Sequence, residues 1–111
     1  MFVGHHTQQT SGCLGLLGEL GGEGFEIVGL EQTTHSESLF GFSFAARTVL
    51  VVGNERTGLE DDVLARLDRV AEIPMYGLPH SLNAATSASI AVYEYCRWAE
   101  AASRPSPQAP A

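Results

Sequence analysis

The stretch VLVVGNERTG, residues 49–58, governs how the rest of the chain is read. A run of β-forming residues, TVLVV at 48–52, stops at Gly53; Asn54, Glu55 and Arg56 follow at once, and Gly58 closes the loop. Such a run suits a strand covered on both faces, as in a parallel sheet. In open α/β sheets ligands lie beyond the C-terminal ends of the strands, so residues 53–58 stand at a ligand position. Two nucleotide loops are excluded. A P-loop needs lysine and a hydroxyl residue directly after its second glycine, where this chain has Leu59 and Glu60. A dinucleotide fingerprint needs a middle glycine that GNERTG lacks. Taken alone, the loop is equally well explained as a plain strand-to-helix turn.

On the C-terminal side, Leu59, Val63, Leu64 and Leu67 fall on one helical face, with Glu60, Asp61 and Asp62 in the first turn, where acids favour the helix dipole. RVAEIP, residues 69–74, reads as a strand stopped by proline. A loop containing Gly77 and Pro79 leads to a helix expected over residues 82–101, with Ser81 placed to cap it. The first two turns of that helix are all small, Ala84 to Ser89, so other backbone or a ligand can approach closely. Val92, Tyr93, Tyr95, Cys96 and Trp98 then supply bulk for a core or a partner. On the N-terminal side, FEIVGL, residues 25–30, reads as a strand. A short helix is expected on Cys13, Leu16, Leu17 and Leu20, weakened by Gly15 and Gly18. Residues 31–47 read as loop and a short helix or turn anchored by Leu39, Phe40, Phe42 and Phe44. Strand, helix, strand, helix is the α/β pattern.

Composition sets the limits. The 111 residues make one domain at most, with 44% hydrophobic residues and a formal charge of −7. All six basic residues are arginine; with so acidic a balance, long-range attraction to a nucleic-acid backbone is weak and a local patch or another chain would have to provide it. Cys13 and Cys96 fit no metal or redox spacing and read as reduced thiols of a cytoplasmic protein. CLGLLGEL is too short for a membrane span. His5 and His6 are adjacent, a poor geometry for one metal, and read as solvated loop residues; the Glu60-Asp61-Asp62 cluster reads as a solvated first helical turn, and Arg66 and Arg69 as surface salt-bridge partners of nearby acids rather than RNA contacts. His35 and His80 sit in loops, and a place beside a ligand is the lesser reading of His80.

LVVGNERTGL, VAEIPMYG and SLNAATSASIAVYEY, taken together in order and spacing, resemble the second and third motifs of the SpoU-type (TrmH-like) RNA 2′-O-methyltransferases of the SPOUT superfamily, over about residues 25–98. The resemblance implies a trefoil-knotted parallel sheet with flanking helices. It implies an S-adenosylmethionine site in which Gly53, Ile73 and Leu82 hold the cofactor through backbone groups. Glu55 would order the knot loop, and Ser81 and Asn83 would line the site near the transferred methyl group; no metal is required. It further implies tRNA or rRNA as substrate and a homodimer formed through the C-terminal helix. The family's first motif, Asn-x-Gly-x-x-x-Arg, does not occur in the 111 residues, and neither Arg47 nor Arg56 stands at the matching position. The expectation is therefore an N-terminally truncated domain: a variable segment at 1–24, the C-terminal half of the methyltransferase domain at 25–101, and a disordered tail at 102–111. Three strands without their neighbours would leave apolar edges exposed. A second reading of different class is a non-catalytic dimerising α/β module with a vestigial cofactor pocket.

Overall fold

The computed structural model describes residues 2–4, 10–53, 58–75 and 83–104. Strands β1 (Phe2–Gly4), β2 (Glu26–Leu30), β3 (Glu37–Ser38), β4 (Thr48–Val52) and β5 (Arg69–Glu72) form one sheet in the order β1-β4-β2-β5-β3. Every pairing in it is parallel. Helices α1 (Thr10–Gly22), α2 (Asp61–Leu64) and α3 (Ala84–Ser103) flank it.

The apolar run of β4 explains the layering. Successive side chains of a strand point to opposite faces, and both faces of β4 are covered. Val49 and Val51 join Ile27 of β2 in one buried cluster with Cys13, Leu17 and Leu20 of α1 and Leu59 and Val63 around α2. Leu50 and Val52 join Val28 and Leu30 in a second cluster with Leu39, Phe42, Phe44 and Ala91 of α3. The small residues of α3 have a structural use there: Ala91 is fully buried, and Ala84 and Ala88 pack on the cluster together with Ile73. A helix carrying larger side chains at those positions could not lie as close to the strands.

The sequence-based elements at β2, β4, β5 and α3 are found, with three corrections. The sheet has five strands rather than three. Phe2–Gly4 pairs along β4, with Phe2 opposite Leu50, and Glu37–Ser38 pairs along β5, with Glu37 opposite Ala71. Both edges therefore carry a short covering strand, which reduces the exposed edge expected above. Phe40 is not an anchor. It is 80% exposed, whereas Leu39, Phe42 and Phe44 are buried. The helix after the glycine loop is only four residues long, with Glu60 at its N-cap position, and continues as turns to Leu67.

The N-cap of α3 also differs. Asn83, not Ser81, holds that place: its backbone is extended and its side-chain oxygen accepts a 2.8 Å hydrogen bond from the Thr86 N–H. Ser and Asn are comparable caps; the helix begins at Ala84, so Asn83 is the residue whose oxygen reaches the third N–H. The knotted threading expected from the resemblance depends on residues 54–57 and 76–82, which lie outside the described residues.

Candidate functional site at the strand ends

Because all strands run the same way, the loops after β2, β4 and β5 emerge on one edge of the sheet. Register fixes their level. Leu30 lies opposite Val52 on one side and opposite Ala71 on the other. Glu31, Gly53 and the Glu72–Ile73 step therefore succeed one another across the central strands. Of the residues expected to hold a cofactor or line its site, Gly53, Ile73 and Asn83 are described; Glu55, Ser81 and Leu82 lie outside the described residues.

Gly53 is needed where it stands. A Cβ there would lie 2.5 Å from the carbonyl carbon of Gly58 and 2.7 Å from both the Gly58 oxygen and the Leu59 nitrogen. The outgoing and returning legs of the loop thus touch backbone to backbone at its neck. Gly58 meets a different demand, a left-handed backbone with φ of 66°, which glycine adopts without steric cost. Ile73 is half-buried, with its side chain on the second cluster. Asn83 is exposed and spends its side-chain oxygen on the helix cap. Ile73 and Ala84, the residue after that cap, pack on the same cluster, so the start of α3 stands beside the end of β5.

The side chain that ties this edge together is one the sequence reading passed over. Glu31 Oε2 accepts a 2.9 Å hydrogen bond from the Leu59 N–H, and Oε1 accepts one of 3.1 Å from the Gln32 N–H. The Glu31 N–H in turn donates to the Ala71 carbonyl at 3.0 Å. Next along, the Ser36 hydroxyl lies 2.7 Å from Glu72 Oε1 and 2.8 Å from the Thr33 carbonyl, closing the loop after β2 against the end of β5. The signal available in sequence was an acid placed directly after a β run.

The opposite edge is built from charge. Arg69 reaches Glu37 through two bonds of 3.1 and 3.0 Å, Glu26 at 3.4 Å and the Ser43 carbonyl at 2.7 Å, with its guanidinium 4.0 Å from the centre of the Phe42 ring. The Arg69 hydrogen bonds hold the Glu37 carboxyl below its ordinary value. Asp68 Oδ2 accepts from the Ile27 N–H at 2.7 Å. Two other arginines are paired, Arg97 with Glu94 and Arg104 with Glu100, and Arg47 lies over the Phe25 ring. Among the described residues, no group of three His, Cys, Asp or Glu side chains could hold a metal ion, and no helix is long and apolar enough to cross a membrane.

Most of the chain, these strand ends included, is matched by known proteins. The profile of the SpoU rRNA Methylase family matches residues 6–93. The chain is 37% identical over 75 residues to the tRNA (guanosine(18)-2′-O)-methyltransferase of Mus musculus, covering 68% of this chain and 5% of that protein. Its fold matches the TrmH/SpoU tRNA modifying enzyme of Aquifex aeolicus with a TM-score of 0.72 and 35% identity, over 86% of this chain and 50% of that one. It also matches the SpoU methyltransferase AviRb of Streptomyces viridochromogenes, solved in complex with AdoMet, with a TM-score of 0.66 and 30% identity, over 86% and 36% of the two chains. The chain thus spans half or less of the length of these relatives. A parallel sheet with a glycine-necked loop at its C-terminal edge, matched over most of its length by this profile, belongs to the SpoU rRNA Methylase family.

Proposed function

We propose that the chain is the cofactor-binding part of an S-adenosylmethionine-dependent RNA ribose 2′-O-methyltransferase acting on tRNA or rRNA. The observation that carries this reading is the common position of Gly53 and Ile73, each following a central strand, on either side of Glu31 and beside the capped start of α3. Among its described residues, the edge offers glycine, aliphatic side chains and backbone groups beside the Glu31 carboxylate. That suits the uncharged adenine and ribose of a nucleoside cofactor. Gly53 and Ile73, with Leu82, are the residues proposed to hold it. Glu55, Ser81 and Asn83 are those proposed to order the loop and line the approach of the ribose. When bound, S-adenosylmethionine supplies an electrophilic methyl group.

Transfer requires the ribose oxygen held in line with that methyl and its proton removed, and orientation of this kind accounts for about 7–11 kcal/mol of barrier lowering. The 111 residues contain no Asn-x-Gly-x-x-x-Arg motif to assist the hydroxyl. RNA capture is opposed by the −7 charge, and Arg69, Arg97 and Arg104 are already paired with glutamates. The reading therefore separates binding from transfer. Calorimetry should detect S-adenosylmethionine or its demethylated product on this chain. Transfer of a labelled methyl to total tRNA and rRNA should be slight until an N-terminal half bearing the first motif is joined. Absence of binding by folded protein at millimolar cofactor would overturn the reading and leave a dimerising module with a vestigial pocket.

Assembly as a homodimer through α3 is part of the same proposal. Tyr95 and Trp98, two of the bulky residues expected at an interface, pack inside the protomer against Phe44. Ile90, Val92 and Tyr93 remain exposed, and Val92 and Tyr93 line a shallow apolar depression with Ala88, Ser89 and Cys96. Sedimentation at tens of micromolar should show a dimer; a monomer would contradict it.

A further inference from the structure

We infer that Glu31 is a positioning residue for the proposed cofactor site, latching the returning leg of the residue 53–59 loop so that the strand-end backbone is presented at a fixed height. The inference rests on the cofactor-binding reading above. Its basis is the geometry of one carboxylate. Glu31 directly follows β2, the strand flanked by β4 and β5, and its own N–H is fixed on Ala71 of β5 at 3.0 Å. Its side chain crosses the other way. Oε2 takes the Leu59 N–H at 2.9 Å, a contact between residues 28 apart in sequence. Oε1 takes the Gln32 N–H at 3.1 Å, so both oxygens are engaged by backbone donors. The described arginines that form ion pairs do so with other glutamates, leaving this carboxylate to the backbone.

Shape adds to the bonding. Gly58 lies directly against Glu31: a Cβ on Gly58 would overlap the Oε2 atom. The second glycine of the motif thus meets two demands at once, a left-handed backbone and a bare surface for the carboxylate. On the other side of the neck, Gly53 has the same Gly58–Leu59 peptide against it. Moving Leu59 off Glu31 would therefore release the peptide that packs on Gly53, the residue proposed to face the cofactor. A carboxylate accepting a backbone N–H is a charge-assisted bond, stronger than a neutral one. A displacement of about 1 Å in a positioning element can cost on the order of a hundredfold in activity.

The test compares Glu31→Ala and Glu31→Gln with the parent chain and with Arg69→Ala, which loosens the opposite edge. Titration with S-adenosylhomocysteine and thermal unfolding are measured on each, together with hydrogen exchange at the Leu59 amide. The amide of glutamine keeps one oxygen for Leu59, so Glu31→Gln should bind within about threefold of the parent. Glu31→Ala should bind about ten- to a hundredfold more weakly, with a freely exchanging Leu59 N–H. Arg69→Ala should unfold at lower temperature with unchanged affinity. Equal affinity in Glu31→Ala and the parent would overturn the inference. So would an affinity loss in Arg69→Ala as large as in Glu31→Ala, since the effect would then follow stability alone. Should Glu31→Ala not fold, the decision passes to the Leu59 amide of Glu31→Gln. Protection there supports the latch, and exchange as fast as an exposed amide refutes it. If the parent itself does not bind, the cofactor reading fails, and protection of Leu59 in the parent and its loss in Glu31→Ala decide the latch separately.

Discussion

The two edges of the sheet are held by different chemistry. At the N-terminal ends of the strands, side chains do the joining: Arg69 gathers Glu26 and the Ser43 carbonyl and reaches along the sheet to Glu37, Asp68 holds Ile27, and the Thr48 hydroxyl bonds the Ala45 carbonyl at 2.6 Å. At the C-terminal ends, the central contacts involve backbone: Gly53 against the Gly58–Leu59 peptide, Glu31 on two N–H groups, Asn83 on the start of α3. One edge is a scaffold whose loops are tied down by charge. The other brings backbone close at Gly53 and Gly58, which suits the proposed site reading an uncharged nucleoside through main-chain groups. On the proposed reading, stability and recognition would be segregated to opposite ends of the same strands.

That separation can be broken deliberately. The largest effect on stability is expected from Phe44→Ala. Phe44 is buried and its ring contacts Phe42, Tyr95 and Trp98 at 4.8, 5.3 and 6.0 Å between centroids. Removing such a side chain costs about 3–5 kcal/mol. Denaturant unfolding should show that loss, while the fraction that remains folded binds cofactor as before. Gly53→Val should do the reverse. The new side chain cannot be accommodated against the Gly58 carbonyl, so calorimetric binding should disappear, with a stability loss of about 1–3 kcal/mol from overpacking. A valine variant that binds normally would break the assignment of recognition to this edge.

Asn83→Ala sharpens the comparison, because Asn83 has both a cap and a proposed site role. Loss of the cap should cost about 1 kcal/mol, and Asn83→Asp should restore it. If Asn83 also lines the site, Asn83→Asp will recover stability without recovering full transfer in the extended enzyme. The smallest effect is expected from acid. Arg69 lowers the Glu37 carboxyl and Arg97 lowers that of Glu94, both from an ordinary 4.5, chiefly through side-chain hydrogen bonds. A carboxyl depressed in the folded state contributes stability above its unfolded value and loses it as pH falls through the folded one. Thermal unfolding should therefore be flat in these two groups down to about pH 4.5 and decline below it, and the Glu37→Gln, Glu94→Gln double variant should decline less.

Elements with a strong local signal were legible in the sequence. β4 and β2 announce themselves as largely apolar runs ended by glycine or loop, β5 as a short β-forming stretch stopped by proline, and α3 by its length. β1 and β3 do not, because three residues around Phe2–Gly4 and the polar pair Glu37–Ser38 have no periodicity of their own and exist by pairing with longer neighbours. Phe40 could not be told from Phe42 and Phe44 by residue type; only the turn at Gly41, with φ of 75°, decides which rings face inward. Gly53 was readable as a ligand position because it ends a strand, and Ile73 became a candidate only through the resemblance. The carboxylate of Glu31 was not readable, since its partner lies 28 residues away and the contact exists only once β2 and β4 are paired.

The central claim is that recognition occupies the C-terminal edge alone. At 11.8 kDa the chain is suited to nitrogen-15 amide spectra recorded during titration with S-adenosylhomocysteine. The account predicts saturable shifts at Gly53, Gly58, Leu59, Gln32, Ile73 and Asn83. The amides of Glu26, Ile27, Thr48 and Asp68, at the other ends of the same strands, should stay in place. Shifts concentrated at that second group, or none anywhere at millimolar ligand, would contradict it.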